Sequence, residues 1–140
     1  LARSRRYVFL PEEAETIFTG IASGLEHLHS LDIVHGDLSR KNVLVQGVLP
    51  HMVCKLADMG HSFSAGSMMG SPPKPGEKAC TISARSPEEM LGAVLSASSD
   101  LWALGTHAFL LSSGTGDLFW QRDEYERMKA KVEGRCKKDR

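Results

Sequence analysis

Cysteine, net charge and long apolar runs are what this sequence has little of. Its three cysteines, Cys54, Cys80 and Cys136, form no C-x-x-C pair, which argues against a disulfide framework or a zinc site. Lys plus Arg and Asp plus Glu both number 17, so no overall basic field favours nucleic acid. No apolar run approaches the length of a membrane-spanning helix. These absences predict a soluble intracellular chain, cytoplasmic or nuclear, without a nucleic-acid partner or a membrane segment.

What is present is the composition of an ordinary globular domain. Of the 140 residues, 41% are apolar and 24% are charged, which is enough for one domain with a hydrophobic core. Basic residues gather near the two ends, in RSRR and in RMKAKVEGRCKKDR, either as solvated surfaces or as a polyanion patch. The first residue is Leu1 rather than Met, which predicts that the chain is part of a longer protein.

The apolar pattern predicts mainly helices with short strands. Pro11 and the two glutamates after it fit the start of a helix over residues 11–30. Short β-branched runs at 33–34, 43–45 and 52–57 predict strands of the kind that form hairpins. Residues 60–78, rich in Gly, Ser and Pro, predict a mobile loop. The stretch 101–111 is apolar nearly all round and predicts a core helix.

A polar loop between two short apolar runs, IVHGDLSRKNVLV, holds Asp37 and Asn42 five residues apart. This string resembles the catalytic loop of protein kinases, H-R-D-L-x-x-x-N followed by a short strand. The resemblance implies that Asp37 accepts the proton of the attacking hydroxyl and that Asn42 helps to hold Mg²⁺. It also implies a structural role for His35. Taken alone, the string fits a polar surface loop as well.

A second string, KLADMG, begins thirteen residues after Asn42 and resembles the D-F-G segment of the same family. The resemblance implies that Asp58 is the main Mg²⁺ ligand, bridging two phosphates of ATP. Met59 replaces the phenylalanine and is a flexible apolar residue that could fill its pocket. A strand-like run before this string and a Gly-rich and Ser-rich loop after it strengthen the match.

A third string, CTISARSPEEML, resembles the end of a kinase activation segment. Its Ser-Pro-Glu, ending at Glu88, matches A-P-E with one small-for-small change, and Thr81 and Arg85 fall at matching places. Arg85 is similar to the arginine of the cyclin-dependent and MAP kinase group. The resemblance implies that Thr81 bridges toward Asp37 and that Glu88 is structural. The proline and the glutamates also fit a plain helix start.

A fourth string, SSDLWALG, resembles the D-x-W-S-x-G start of the family's central buried helix. Asp100 lies twelve residues after Glu88, which is the family spacing. The resemblance implies that Asp100 accepts hydrogen bonds from backbone amides of the catalytic loop, since a buried carboxylate needs such donors. The alternative is an ordinary N-cap.

Together the four strings imply that residues 1–140 are a partial protein kinase domain, the C-terminal lobe without the N-terminal lobe. Its parts would be a helix at 11–30, a catalytic loop at 35–42, an activation segment at 58–88 and a central helix at 100–112. The implied activity is ATP-dependent and Mg²⁺-dependent phosphoryl transfer to Ser or Thr of a protein substrate. No glycine-rich loop or β3-type lysine is present, so the isolated chain is expected to be inactive.

Several positions depart from the family pattern. Gly36 replaces the arginine of H-R-D, which puts switching by activation-loop phosphorylation in doubt. Ser39 stands where Ser/Thr kinases usually have a lysine, and Lys41, as in tyrosine kinases, is then the candidate for stabilising the transferring phosphoryl group, with Arg40 the other cation. The alternative is that both are solvent-facing cations. Ser83 and Ala84 replace an aromatic pair that helps to dock the substrate.

These departures leave a second reading open, a pseudokinase-like module that binds proteins without catalysis. Ser/Thr against Tyr specificity is open too, because Thr81, Arg85 and Ser-Pro-Glu favour the former and Lys41 the latter. A third reading, an unrelated helical domain, requires the order of the four strings to be accidental.

Overall fold

A computed structural model describes residues 9–65, 84–90 and 94–113 of the chain. Its helices are α1 (Pro11–Ser30), α2 (Pro87–Met90) and α3 (Ala97–Ser113), and its strands are β1 (Ile33–Val34), β2 (Val43–Gln46), β3 (Val53–Leu56) and β4 (Phe63–Ser64). A 3₁₀ helix spans Arg40–Asn42. This architecture, mainly helical with short antiparallel pairs, is the one that the apolar pattern predicts. Within the described ranges no helix is long and apolar enough to cross a membrane.

Helix α1 has the bounds that its sequence predicts. The backbone N–H of Leu10 donates to Glu13 Oε2 at 2.9 Å, so a first-turn carboxylate satisfies a donor at the helix start. The buried stripe of the helix lies at helical spacing and consists of Ile17, Ile21 and Leu25. This stripe forms the centre of the hydrophobic core, with Leu38, Ala84, Ala103 and Leu111 around it.

Strands β2 and β3 form an antiparallel hairpin that packs on α1. The register runs from Val43 opposite Leu56 to Gln46 opposite Val53. A Cβ atom at Gly20 of α1 would lie only 2.6 Å from the Cβ of Cys54. The absence of a side chain at Gly20 therefore allows α1 to approach β3 closely, which holds the hairpin against the core.

The second strand pair corrects the loop predicted over 60–78. Val34 of β1 lies opposite Phe63 of β4, and the N–H of Ala65 donates to the carbonyl of Asp32 at 2.7 Å. The pairing satisfies backbone groups beside Val34, which is buried and would otherwise lose hydrogen bonds to water. Residues 66–78 of the predicted loop lie outside the described ranges.

Helix α3 is less uniformly buried than its composition predicts. Its core-facing side carries small or polar residues, including Asp100, Ala103 and His107, while Leu101 and Phe109 are 56% and 42% exposed. The helix packs beside α1 and β1. Polar residues can face inward there because the loop that follows β1 offers hydrogen-bond partners, as the His35 N–H does to Asp100. Hydropathy alone does not reveal which side of such a helix faces the core.

Candidate active site

Asp37 and Asn42 are joined by direct hydrogen bonds. The side-chain amide Nδ2 of Asn42 donates to the carbonyl oxygen of Asp37 at 2.8 Å and to its carboxylate Oδ2 at 3.2 Å. Asn42 is 7% exposed, and its backbone N–H donates to the Ser39 carbonyl at 2.9 Å within the 3₁₀ helix. These bonds use the amide nitrogen and orient the amide, so Oδ1 remains as the group that can bind a ligand.

The segment that carries Asp58 is held against both ends of this loop. The backbone N–H of Ala57 donates to the Asn42 carbonyl at 2.8 Å, and the Ala57 carbonyl accepts from His35 Nε2 at 3.2 Å. Asp58 itself has φ +62°, and its Oδ1 accepts the Gly60 N–H at 3.2 Å. The sharp turn at Asp58 therefore directly follows Ala57, which is hydrogen-bonded to Asn42.

His35 is fully buried and links the two acidic positions. Its Nδ1 accepts the backbone N–H of Asp37 at 3.3 Å, and its Nε2 donates to the carbonyl of Ala57. Because a carbonyl only accepts and an amide N–H only donates, the ring carries its proton on Nε2. His35 thus fixes the backbone of Asp37 and that of the residue before Asp58 with one imidazole ring.

Asp100 makes the contacts that the resemblance implies. It is 2% exposed; its Oδ2 accepts the His35 N–H at 2.8 Å, and its Oδ1 accepts the Gly36 N–H at 3.0 Å. It lies in the first turn of α3 but aims at another segment, so the alternative of a plain N-cap is wrong. The carboxylate holds the start of the catalytic loop.

A third donor to Asp100 comes from α1. His29 Nε2 lies 2.9 Å from Asp100 Oδ2, with the His29 side chain 21% exposed. Sequence patterns contain no separate signal for His29 beyond its place in the last turn of a predicted helix. Its pairing with a residue 71 positions later becomes visible only in the folded structure. This bond ties the end of α1 to the start of α3 and, through Asp100, to the loop.

Gly36 has a conformational role that its comparison with an arginine did not reveal. Its φ is +76°, and a Cβ atom there would lie 2.8 Å from the His61 carbonyl oxygen. Beside it, Ser62 Oγ donates to the His35 carbonyl at 3.1 Å. The turn after Asp58 is therefore pressed directly onto the backbone of the catalytic loop at a position without a side chain.

Below the loop lies a buried histidine of α3. His107 is 5% exposed; its Nδ1 donates to the Ala103 carbonyl at 2.8 Å, while its buried Nε2 has no hydrogen-bond partner among the residues that the structure describes. Burial lowers the pKa of His107, and the charge of Arg40 acts in the same direction, whereas the backbone carbonyls of Ala103 and Ser39 oppose the shift. A neutral imidazole thus lies under the catalytic loop.

The remaining predicted positions are less central or are not described. Thr81 and Ser83 lie outside the described ranges. Lys41 is exposed, and Met59 is 43% exposed, so the expectation that Met59 fills a pocket is wrong: it lies on an exposed turn, with Ser62 Oγ 3.7 Å from its sulfur. Ala84 is buried in the core cluster.

Ser86 and Glu89 form a capping box at the start of α2, in which Glu89, and not Glu88 of the Ser-Pro-Glu string, is the capping glutamate. The Ser86 N–H donates to Glu89 Oε2 at 2.9 Å, and the Glu89 N–H reaches Ser86 Oγ at 3.4 Å. Burial raises the pKa of Glu89, whereas hydrogen bonding of its carboxylate by the Ser86 backbone and side chain and the positive charge of Arg85 act against that shift. Glu88, to which the resemblance assigns a structural role, is half-buried and makes no hydrogen bond or ion pair with the residues that the structure describes.

Comparison with known proteins identifies the family. Residues 2–138 match the family model described as "Protein kinase domain". The chain therefore belongs to the protein kinase domain family, and the resemblance drawn from its four strings is confirmed.

Similar curated proteins include kinases of more than one kind. The chain is 36% identical over 108 residues to the calcium and calcium/calmodulin-dependent serine/threonine-protein kinase DMI-3 of Medicago truncatula, covering 73% of the chain and 19% of that protein. It is 34% identical over 107 residues to cyclin-dependent kinase 11B of Rattus norvegicus, covering 75% and 23%. It is 34% identical over 88 residues to ephrin type-B receptor 5 of Gallus gallus, covering 61% and 8%. The chain thus spans less than a quarter of each of these proteins.

Solved structures support the same fold. The yeast RNA Pol II CTD kinase CTDK-1 complex contains a chain that matches with a TM-score of 0.70 at 22% identity, covering 84% of this chain and 36% of that one. At this identity the likeness shows the protein kinase fold and no more.

Proposed function

We propose that this chain is the catalytic part of a protein kinase C-terminal lobe, which in the intact protein transfers the γ-phosphoryl group of ATP to a Ser or Thr hydroxyl. The observation that carries the proposal is a set of hydrogen bonds. Asn42 donates to Asp37, and Ala57, the residue before Asp58, is hydrogen-bonded to both Asn42 and His35. These contacts support the proposal because they connect the two segments of the chain that carry the proposed base and the two proposed oxygen ligands.

In this proposal Asp37 orients the acceptor hydroxyl and takes its proton. The Asn42 amide that donates to the Asp37 carboxylate fixes the rotamer of that carboxylate. The hydrogen bond from the Asp37 N–H to His35 fixes the backbone below it. Such positioning is the larger part of what a protein contributes to phosphoryl transfer, because the reaction requires little covalent participation by the protein.

The side chains fit a magnesium ion. Asn42 Oδ1 and Asp58 Oδ2 have no hydrogen-bond partner among the described residues, and amide and carboxylate oxygens are the hard ligands that Mg²⁺ prefers. A pair of protein ligands suffices for Mg²⁺, which takes its remaining ligands from water and phosphate oxygens. Bound Mg²⁺ would neutralise charge on the phosphates.

Two further residues belong to the proposal by resemblance. Lys41 would supply positive charge near the transferred group, consistent with its exposure at the rim of the loop. Thr81 would bridge toward Asp37. ATP binding also needs a glycine-rich loop and a lysine that this sequence does not contain, so we expect the 140-residue chain alone to be inactive.

A paramagnetic metal tests the site in this chain. We expect Mn²⁺ alone, without nucleotide, to broaden the ¹⁵N NMR signals of the Asn42 side-chain amide and of the Asp58 to Gly60 backbone. Asp58→Asn should weaken the broadening at both places, whereas Asp32→Asn, an exposed carboxylate also at positive φ, should leave it unchanged. Broadening confined to the acidic first turn of α1 would contradict the proposal.

The second candidate is a protein-interaction module without catalysis. It is favoured by Gly36, which leaves no side chain to pair with an activation-loop phosphate, and by Ala84, which is buried in the core rather than available to a substrate. Partner binding that persists in Asp37→Asn, with no phosphoryl transfer by the intact protein, would support the module.

A further inference from the structure

We propose that Arg40 and Lys41 form an acid-recognition site that selects protein substrates with Asp or Glu close to the phosphoacceptor hydroxyl. This inference rests on the proposed function, because it takes Asp37 as the position of the acceptor hydroxyl. The proposed base and metal ligands do not specify which protein segment is phosphorylated. The further inference is that this segment is acidic.

The first observation is that both cations are exposed and have no counter-ion among the residues that the structure describes. Neither side chain makes a hydrogen bond or an ion pair with a residue that the structure describes, where the one ion pair is between His29 and Asp100. No described residue therefore neutralises their positive charge, which can attract a ligand of opposite charge.

The second observation is that the two cations are adjacent. Of the four Lys and Arg residues in the described ranges, Arg40 and Lys41 are neighbours on the same loop. Two adjacent positive charges attract an acidic segment of a peptide more strongly than either charge alone. Such local complementarity sets specificity and encounter rate more than raw affinity.

The third observation is distance along the chain. Arg40 lies three residues after Asp37 and is the first residue of the 3₁₀ helix that ends at Asn42. A 3₁₀ helix rises by about 2 Å per residue, and an extended peptide advances by about 3.3 Å per residue. With its hydroxyl at Asp37, a peptide would therefore bring residues about one to three positions away within reach of the two long cationic side chains.

The fourth observation is that Ala84 does not provide apolar recognition of a bound peptide. Ala84 is 5% exposed and belongs to the core cluster, so it offers no apolar surface to a bound peptide. Because Ala84 offers no apolar surface, Arg40 and Lys41, which have no partner among the described residues, are the described groups best suited to discriminate among substrates.

The test is direct binding, which does not depend on phosphoryl transfer. Three fluorescent nine-residue peptides carry one central Ser with Glu, Gln or Lys two positions to either side. We expect fluorescence anisotropy of the 140-residue chain to give about three- to tenfold tighter binding of the Glu peptide than of the Gln peptide, and the preference to shrink at high salt.

Charge-reversal variants locate the site. Arg40→Glu and Lys41→Glu should each reduce the Glu-peptide preference by about two- to fivefold, whereas Lys55→Glu, the same charge change on exposed β3, should leave it within twofold. Equal binding of the three peptides, or an equal loss in Lys55→Glu, would overturn the inference. Loss of the preference in Arg40→Gln with an unchanged melting temperature would support it and exclude misfolding.

The two levels of proposal fail separately. Phosphorylation by the intact protein without any preference for acidic peptides would overturn the acid-recognition site and leave the kinase assignment intact. Acid-selective binding that is lost in Arg40→Glu, without phosphoryl transfer, would overturn the proposed catalysis and leave the recognition site.

Discussion

His29 Nε2 lies 2.9 Å from Asp100 Oδ2, so the last turn of α1 donates to the buried carboxylate that also accepts the N–H groups of His35 and Gly36. Three segments of the chain thus meet at one carboxylate. Because a hydrogen bond to a buried charged group contributes more than one between neutral groups, this contact supports the catalytic loop from below.

Replacing His29 by Ala should lower the free energy of unfolding by about 1 to 2 kcal/mol, because Asp100 loses one of its three donors while staying buried. The matched control is His27→Ala, an exposed histidine two residues earlier on the same helix, which should change stability by less than about 0.5 kcal/mol. Urea unfolding of the two variants measures the difference. Equal losses would show that the bond to Asp100 contributes nothing.

Replacing Gly36 by Ala should also destabilise the chain, by about 1 to 3 kcal/mol, because a Cβ atom there meets the His61 carbonyl and an L-residue at φ +76° is strained. Gly105→Ala is the control, since a Cβ atom there meets nothing within 4 Å and alanine favours the interior of a helix. We expect Gly105→Ala to stabilise by up to about 1 kcal/mol. Thermal melts that rank the two variants in the opposite order would contradict the close packing at Gly36.

His107 should make stability depend on pH. Its folded pKa is lowered by burial, so below the ordinary histidine value of about 6.5 the unfolded chain binds a proton that the folded chain does not. Its contribution is therefore complete above that pH and is lost as the pH falls toward the lowered pKa. His107→Leu should flatten this part of the curve, whereas His51→Gln, at an exposed site, should not. Parallel curves for wild type and His107→Leu would show that His107 does not titrate differently on folding.

The sequence pattern predicted the helices and strands that are determined by residues close to one another in the chain. Helix α1 has its predicted bounds because its proline, first-turn glutamates and apolar stripe all lie within twenty residues. The β2–β3 strands likewise follow from two neighbouring β-branched runs. The contacts of Asp37 with Asn42 connect residues five apart, and the position of Asp58 follows from the end of a predicted strand.

The remaining features depend on contacts between distant residues. Strand β4 forms because β1 needs a partner, and its own two residues, Phe63 and Ser64, lie in a sequence typical of loops. His29 finds Asp100 only after α1 and α3 pack together. The exposure of Leu101 and Phe109 depends on which side of α3 faces the core, and an almost uniformly apolar helix does not encode that choice in its periodicity.

Phosphoryl transfer by the intact protein tests the central claim most directly. With ATP, Mg²⁺ and an acidic Ser-containing peptide, Asp37→Asn should reduce the transfer rate by about 10²- to 10⁴-fold, whereas Asp32→Asn should leave it near the wild-type value. Chelation of Mg²⁺ should abolish transfer in both. Transfer by Asp37→Asn at the wild-type rate, or no transfer by the wild-type protein, would contradict the assignment of Asp37, Asn42 and Asp58 to a working kinase site.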